Sequence, residues 1–269
     1  MKRLLFFVFI AITFINLESC ANYGDDNVTP NGNNNGGGSG NNSGGNSGGG
    51  NNNSSIPNLP IKITRDYKRY ETFKYDDKGR IVQQNMISDI YYLRKMFIKY
   101  SNDTIVSIKE FDEWFYEDTI YYKFIYSGNT IRYDYATNNG SVSGYNIMTI
   151  DNNGLLLEDN LTYGLKREYF YDSNKNLIKI KVKGGNQEVN YSYFANTNGV
   201  FKNVNMPQWF FYSVFNTRAT NSIFNNMSKA IGQTNIYDTI NYRYKYNKDG
   251  YPIYIYSDRE DDLEIEYSK

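Results

Sequence analysis

A chain of 269 residues, 17% aromatic and 22% charged, can bury one sizeable core, and one domain with appendages is its simplest organisation. Lys+Arg and Asp+Glu balance at 29 each, so there is no electrostatic case for nucleic acid or an anionic membrane surface as partner. With no histidine and a single cysteine, the composition excludes intrachain disulfides, histidine-ligated metals and any catalytic triad that uses histidine as base.

At the N-terminus, Lys2 and Arg3 precede an apolar run from Leu4 to Ile15 in which only Thr13 is polar. That run is too short for an ordinary membrane span and has the size of a secretory h-region. It ends in Leu17-Glu-Ser-Cys20, which resembles the lipobox of bacterial lipoproteins: an aliphatic residue at −3, a small one at −1, then the acylated cysteine. Glu18 at −2 departs from the commonest pattern. The resemblance implies a signal peptide over 1–19, lipidation of Cys20 and an N-terminal lipid anchor as the membrane partner. Removing Lys2, Arg3 and Glu18 with the signal leaves a net charge of −1.

Residues 20–55 read as a tether. From Asn31 to Ser55 every residue is Asn, Gly or Ser, so nothing is available to bury against the entropy of ordering. A Gly-rich coil of about 30 residues has an end-to-end distance of roughly 30 Å. Asp25-Asp26 resemble the surface-export signals of Bacteroidetes-type lipoproteins but stand further from the cysteine, and they read equally well as solvated linker charge. An outer-membrane location follows from the anchor, with the periplasmic face and the cell surface both open.

From Ile56 to Lys269 the composition shifts to alternating strands and polar turns. Tyr70–Tyr75 meets Asp76-Asp-Lys-Gly79, Gly144–Ile150 meets Asp151-Asn-Asn-Gly154, and Tyr242–Tyr246 meets Asn247-Lys-Asp-Gly250. Pro252, lacking an N–H, predicts an edge strand or an unpaired strand start. Ile178, Ile180 and Val182 alternate with Lys179, Lys181 and Lys183 and are expected on one face. The fold class expected is all-β: an antiparallel meander of hairpins forming one curved sheet or partial barrel. A short helical insertion is expected near 205–232, with Pro207 in a first helical turn and Ile223, Phe224, Met227 and Ile231 at helical spacing.

Two resemblances bear on this pattern. Tyr75-Asp-Asp-Lys-Gly-Arg-Ile81 looks like a YD repeat of the Rhs and teneurin type, although the copies at Tyr171 and Tyr246 lose the Gly-Arg step. The lipobox and tether, the Tyr75–Asp76 turn, Asn225-Asn-Met-Ser-Lys229 and Tyr244-x-Tyr246-Asn-x-Asp-Gly-Tyr-Pro252 together resemble uncharacterised Bacteroidetes-type lipoproteins with a porin-like β domain. That resemblance implies an open or partial barrel and carries no established activity. Lysines on the non-core face, as in Ile178–Lys183, argue against a transmembrane barrel.

The binding candidates are aromatic. Tyrosine couples an apolar body to a polar tip, and Trp114, Tyr116, Trp209, Tyr244 and Tyr254 are the residues singled out to contact a glycan, peptide or envelope-protein ligand. Most of the 28 tyrosines are expected to be structural, as favoured strand residues. The acidic clusters 112–118 and 258–262 read as solvated turns, since sequence proximity places no two carboxylates across a cleft. No catalytic residue, metal ligand or cofactor is assigned. Three functions stay open: a non-enzymatic binding or scaffold module, a carboxylate-dependent glycan hydrolase, and a periplasmic carrier of an apolar molecule.

Overall fold

The computed structural model describes residues 56–66, 68–88, 93–112, 119–138, 143–160, 165–215, 217–232 and 239–269. The expected signal peptide, Cys20 and the expected tether lie outside these residues. Sixteen strands follow one another: β1 (Pro60–Asp66), β2 (Arg69–Tyr75), β3 (Ile81–Ser88), β4 (Leu93–Ser101), β5 (Thr104–Asp112), β6 (Thr119–Ser127), β7 (Thr130–Thr137), β8 (Ser143–Ile150), β9 (Leu156–Asn160), β10 (Lys166–Tyr171), β11 (Leu177–Lys183), β12 (Glu188–Tyr193), β13 (Met227–Gly232), β14 (Ile240–Tyr246), β15 (Pro252–Ser257) and β16 (Leu263–Tyr267). Each pairs antiparallel with its neighbours in sequence, and β1 closes the ring on β16 with Ile63 opposite Ile265. The expected meander is therefore a closed barrel rather than a partial one. Closure removes every sheet edge. Pro252 accordingly opens an interior strand, tolerated because it stands at the strand's first residue beside a bulge.

All connections from an even to an odd strand lie at one rim, and four of them are built alike. The side chains of Asp76, Asp151, Asp172 and Asn247 each accept from the backbone N–H groups two and four residues on. The same four residues pair their backbone N–H with the carbonyl four residues on. The third residue after each takes positive φ, as Gly79, Gly154, Lys175 and Gly250. Three of these four are glycine, which adopts that conformation without a Cβ penalty.

After this rim most odd strands begin with a β-bulge, in which two residues oppose one. The register skips in this way in β1, β3, β5, β9, β11, β13 and β15. The bulge resets the alternation. Leu177 points inward and is buried, the extra residue Ile178 is 37% exposed on the wall, and Ile180 and Val182 then resume the inward phase. The expected single face for Ile178, Ile180 and Val182 is thus corrected at its first member.

A bulge leaves the carbonyl at the strand start outside the regular ladder, and here a tyrosine hydroxyl from the following strand takes it up. Tyr75 donates to the Pro60 carbonyl (2.6 Å), Tyr100 to Ile81 (2.8 Å), Tyr126 to Ile105 (2.8 Å) and Tyr171 to Leu156 (2.9 Å). Tyr193 donates to Leu177 (2.9 Å), Tyr244 to Met227 (2.8 Å) and Tyr267 to Pro252 (2.8 Å). The exception supports the rule. β7 starts without a bulge after a tight Gly128 turn, and the residue that ends β8 is Ile150 instead of tyrosine. Burial holds the Tyr193 phenol well above its ordinary pKa, so it stays a donor through neutral and moderately alkaline pH. Tyr193→Phe is expected to cost about 1 kcal/mol in chemical denaturation, one net hydrogen bond. No loss on removing this hydroxyl would assign the ring of tyrosines to packing alone.

The β12–β13 connection, residues 194–226, folds back into the barrel and fills it. Its helix, Gln208–Ser213, starts behind Pro207, whose φ of −65° suits a helix N-terminus. Phe201 meets Phe73 of β2, Trp209 meets Phe124 of β6, and Tyr212 meets Tyr171 of β10. Contacts to strands spaced this widely put the segment inside the barrel as a plug. Val200, Phe201, Val204, Phe210, Phe211 and Phe215 are buried with it. Gly199 allows the plug's two limbs to touch: a Cβ there would stand 2.5 Å from the Phe224 carbonyl carbon.

The helical spacing of Ile223, Phe224, Met227 and Ile231 does not form a helix among the described residues. Thr220–Ser222 is one 3-10 turn, and Met227–Gly232 is strand β13. Ile223 belongs to the plug and Met227 to the wall, so the helical spacing was a coincidence across a junction.

Candidate functional sites

The barrel interior has two halves. Nearer the tight-turn rim it is apolar and aromatic. Nearer the opposite rim, inward positions become polar on several neighbouring strands. Glu71 on β2 is fully buried and accepts from Gln84 Nε2 (2.7 Å), Thr217 Oγ1 (2.8 Å) and the Arg218 backbone N–H (2.7 Å). Arg94 and Glu110 pair bidentately between β4 and β5 at 2.6 and 2.9 Å. Asp159 on β9 is wholly buried and accepts from Arg167 Nε (2.8 Å), Arg167 Nη2, Tyr169 OH (3.1 Å) and Ser213 Oγ of the plug helix (3.2 Å).

These groups clamp the plug to the wall: Glu71 holds Thr217 and Arg218, and Asp159 holds Ser213. They also define what the interior chemistry can be. A pair of carboxylates performing glycoside hydrolysis must share a cleft with substrate between them. Each carboxylate here is instead occupied by donors of the protein.

Burial raises the pKa of Glu71, and the bonds from Arg218, Thr217 and Gln84 pull it back only in part. A carboxyl whose folded pKa exceeds its unfolded value of roughly 4.3 contributes stability that is present below that pH and lost as pH rises through the folded pKa. Glu71→Gln lacks this ionisation. Its melting temperature, measured against wild type, is therefore expected to improve as pH is raised from acid to neutral. A constant difference across that range would mean that Glu71 titrates as it does in the unfolded chain.

The structure does not bring the sequence-selected aromatics together. Trp114 and Tyr116 lie outside the described residues. Trp209 is 3% exposed and packs on Phe124 and Phe210 inside the barrel, which makes it core. Tyr244 is a half-buried member of the rim ring and sits edge-on to Phe194. Tyr254 alone faces outward, its ring tilted 33° to that of Tyr256 with Lys245 over both rings. The concave apolar face that a carrier needs is present, but the chain's own plug occupies it.

What sequence reasoning missed, beyond the lysines of β11, is the make-up of the outer wall. Outward positions carry Lys62, Lys74, Lys95, Lys99, Lys109, Lys123, Arg132, Lys179, Lys181, Lys229, Arg243 and Lys245, with Phe97, Tyr121 and Tyr145 exposed among them. A lysine costs roughly 2–4 kcal/mol at a bilayer midplane, so this is a water-facing wall. Cations lie over exposed rings at Lys109–Tyr121 and Arg132–Tyr145. A shallow groove of ≈ 360 Å³ opens on the same wall beside Thr149, Leu157, Glu158, Glu168 and Phe170. Strand alternation could have flagged the lysines, but only the pairing register shows which of them are neighbours.

No family model matches the chain, and no curated protein matches it. Among solved structures, similar ones include a porin-like protein from Bacteroides uniformis ATCC 8492, 11% identical, with a TM-score of 0.46 over 78% of this chain and 98% of that one. Another is a porin-like protein from Bacteroides vulgatus ATCC 8482, 12% identical, with a TM-score of 0.36 over 78% of this chain and 99% of that one. The closed sixteen-stranded barrel rests on this chain's own strand pairing.

Proposed function

We propose that this protein is a lipid-anchored envelope module, non-enzymatic, that uses the outside of a plugged barrel to bind a glycan, peptide or envelope-protein partner. The observation that carries this reading is the exchange of surfaces relative to a pore. The lumen is filled by residues 194–226, while the wall bears exposed aromatics and cations. With the lumen filled in this way and the inward carboxylates Glu71, Glu110 and Asp159 each holding donors of the protein, the wall and the opposite rim are the contact surfaces left among the described residues.

The anchor reading is supported by Leu17-Glu-Ser-Cys20 and by the position of the chain's entry. Asn58 is held at the tight-turn rim by Asn247 (3.1 Å), so a tether from Cys20 would approach there and direct the opposite rim away from the membrane. The test is protease shaving of intact cells with wild type and Cys20→Ala. Release of the domain from intact wild-type cells is the expected result for a surface module, and protection with retention in the membrane fraction for a periplasmic one. A Cys20→Ala protein that stays membrane-bound would overturn the anchor.

A further inference from the structure

The pairing register places four cations from four consecutive strands on one diagonal. Lys95 on β4 stands opposite Phe111 of β5, and Lys109 is two residues from Phe111. Lys109 stands opposite Tyr121 of β6, and Lys123 is two residues beyond it. Lys123 stands opposite Asp134 of β7, and Arg132 is two residues from Asp134. Each step moves one strand across and one outward position towards the tight-turn rim. Diagonal neighbours of this kind lie about 7–8 Å apart.

The stripe is flanked by Phe97 and Ile125 on one side and by Phe111 and Tyr121 on the other. Phe97, Tyr121 and Ile125 are exposed. Only Asp134 opposes it among the described wall residues, through its pair with Arg132 (2.7 Å). On β9–β11, by contrast, wall lysines are paired: Lys166 and Lys183 both bond Glu158, and Lys183 also reaches Glu168. The diagonal thus aligns Lys95, Lys109 and Lys123, which form no ion pair among the described residues, with Arg132.

We infer that the outer face of β4–β7 binds an acidic polysaccharide, with its anionic groups along Lys95, Lys109, Lys123 and Arg132 and its sugar rings against Phe97 and Tyr121. Charge complementarity selects a polyanion. The wall's shape selects a flexible chain over a membrane surface, because a stripe crossing four adjacent strands of a closed barrel curves away from any plane. Planar rings beside the cations suit the apolar faces of sugars. This inference rests on the wall-binding part of the reading above and is independent of the anchor.

The test uses the full chain carrying Cys20→Ala, so that no acyl chain contributes. Binding to alginate and dextran sulfate is titrated at several salt concentrations, with neutral dextran as control. Wild type is expected to bind both acidic glycans and to weaken with salt. Lys109→Ser/Lys123→Ser should weaken binding about tenfold, while Lys179→Ser/Lys181→Ser on β11 leaves it unchanged. Tyr121→Ser should weaken glycan binding at constant charge.

Equal losses in the two lysine pairs, or no retention of wild type by either acidic glycan, would overturn the stripe. Tighter binding to a single-stranded oligonucleotide or to phosphatidylglycerol vesicles would overturn the glycan. The anchor is judged separately by shaving, so either reading can fail alone.

Discussion

Asp159→Ala is expected to destabilise the barrel by about 3–5 kcal/mol, the cost of leaving a buried cation without its anion. Asp159 has no exposure and gathers four donors from two elements: two Arg167 nitrogens and Tyr169 from β10, and Ser213 from the plug helix. Removing the carboxylate takes the paired anion from the Arg167 guanidinium, whose side chain is only 9% exposed. It also frees the plug helix from β9. The matched control is Asp134→Ala, which breaks the outward pair with Arg132, both side chains being more than a third exposed. Exposed pairs contribute roughly 0–1 kcal/mol, so this variant should denature near wild type. Urea midpoints for the two variants decide the matter, and equal losses would remove Asp159 from its role as a clamp.

Phe201→Ala should cost a comparable amount, about 3–5 kcal/mol for a large aromatic deleted from a packed core. Phe201 is fully buried and joins plug to wall through an edge contact with Phe73 at 5.5 Å, while meeting Phe211 at 5.1 Å and Phe215 at 5.9 Å within the plug. The same substitution tests whether plug and wall unfold together. A single shared transition at a lower urea midpoint is expected, because the inward faces of β2, β6 and β10 have the plug as their apolar partner. Two separated transitions, with the wall retaining its β-sheet signal after the plug has opened, would make the plug an independent insert.

These expectations bear on function through the same geometry. A plug held by hydrogen bonds to buried carboxylates on one side and aromatic packing on the other is a structural component, and the proposed ligand contact then falls to the wall. Trp209, chosen from sequence as a binding residue, belongs with Phe201 and Phe210 in the core. The wall lysines, unremarkable along the chain, become a stripe once the strands are in register.

What the sequence by itself determined is everything that local chemistry decides. Alternation placed the hairpins, and aspartate or asparagine five residues before the strand restart placed the rim turns. Charge balance and the absence of histidine narrowed the chemistry. Tyrosines at the even-strand ends were legible as structural residues, though not as acceptors' partners, because their bonds run to carbonyls 15–21 residues away.

Only the tertiary structure decided the rest, and the reason in each case is a contact between residues distant in sequence. Closure depends on β1 meeting β16 across the whole domain. The bulges that turn Ile178 outward depend on the opposing strand, and β13 is a strand because β12 and β14 pair with it on both sides. Whether Trp209 meets solvent depends on residues 194–226 entering the lumen. The diagonal of Lys95, Lys109, Lys123 and Arg132 depends on three successive registers, which period-two alternation leaves undetermined.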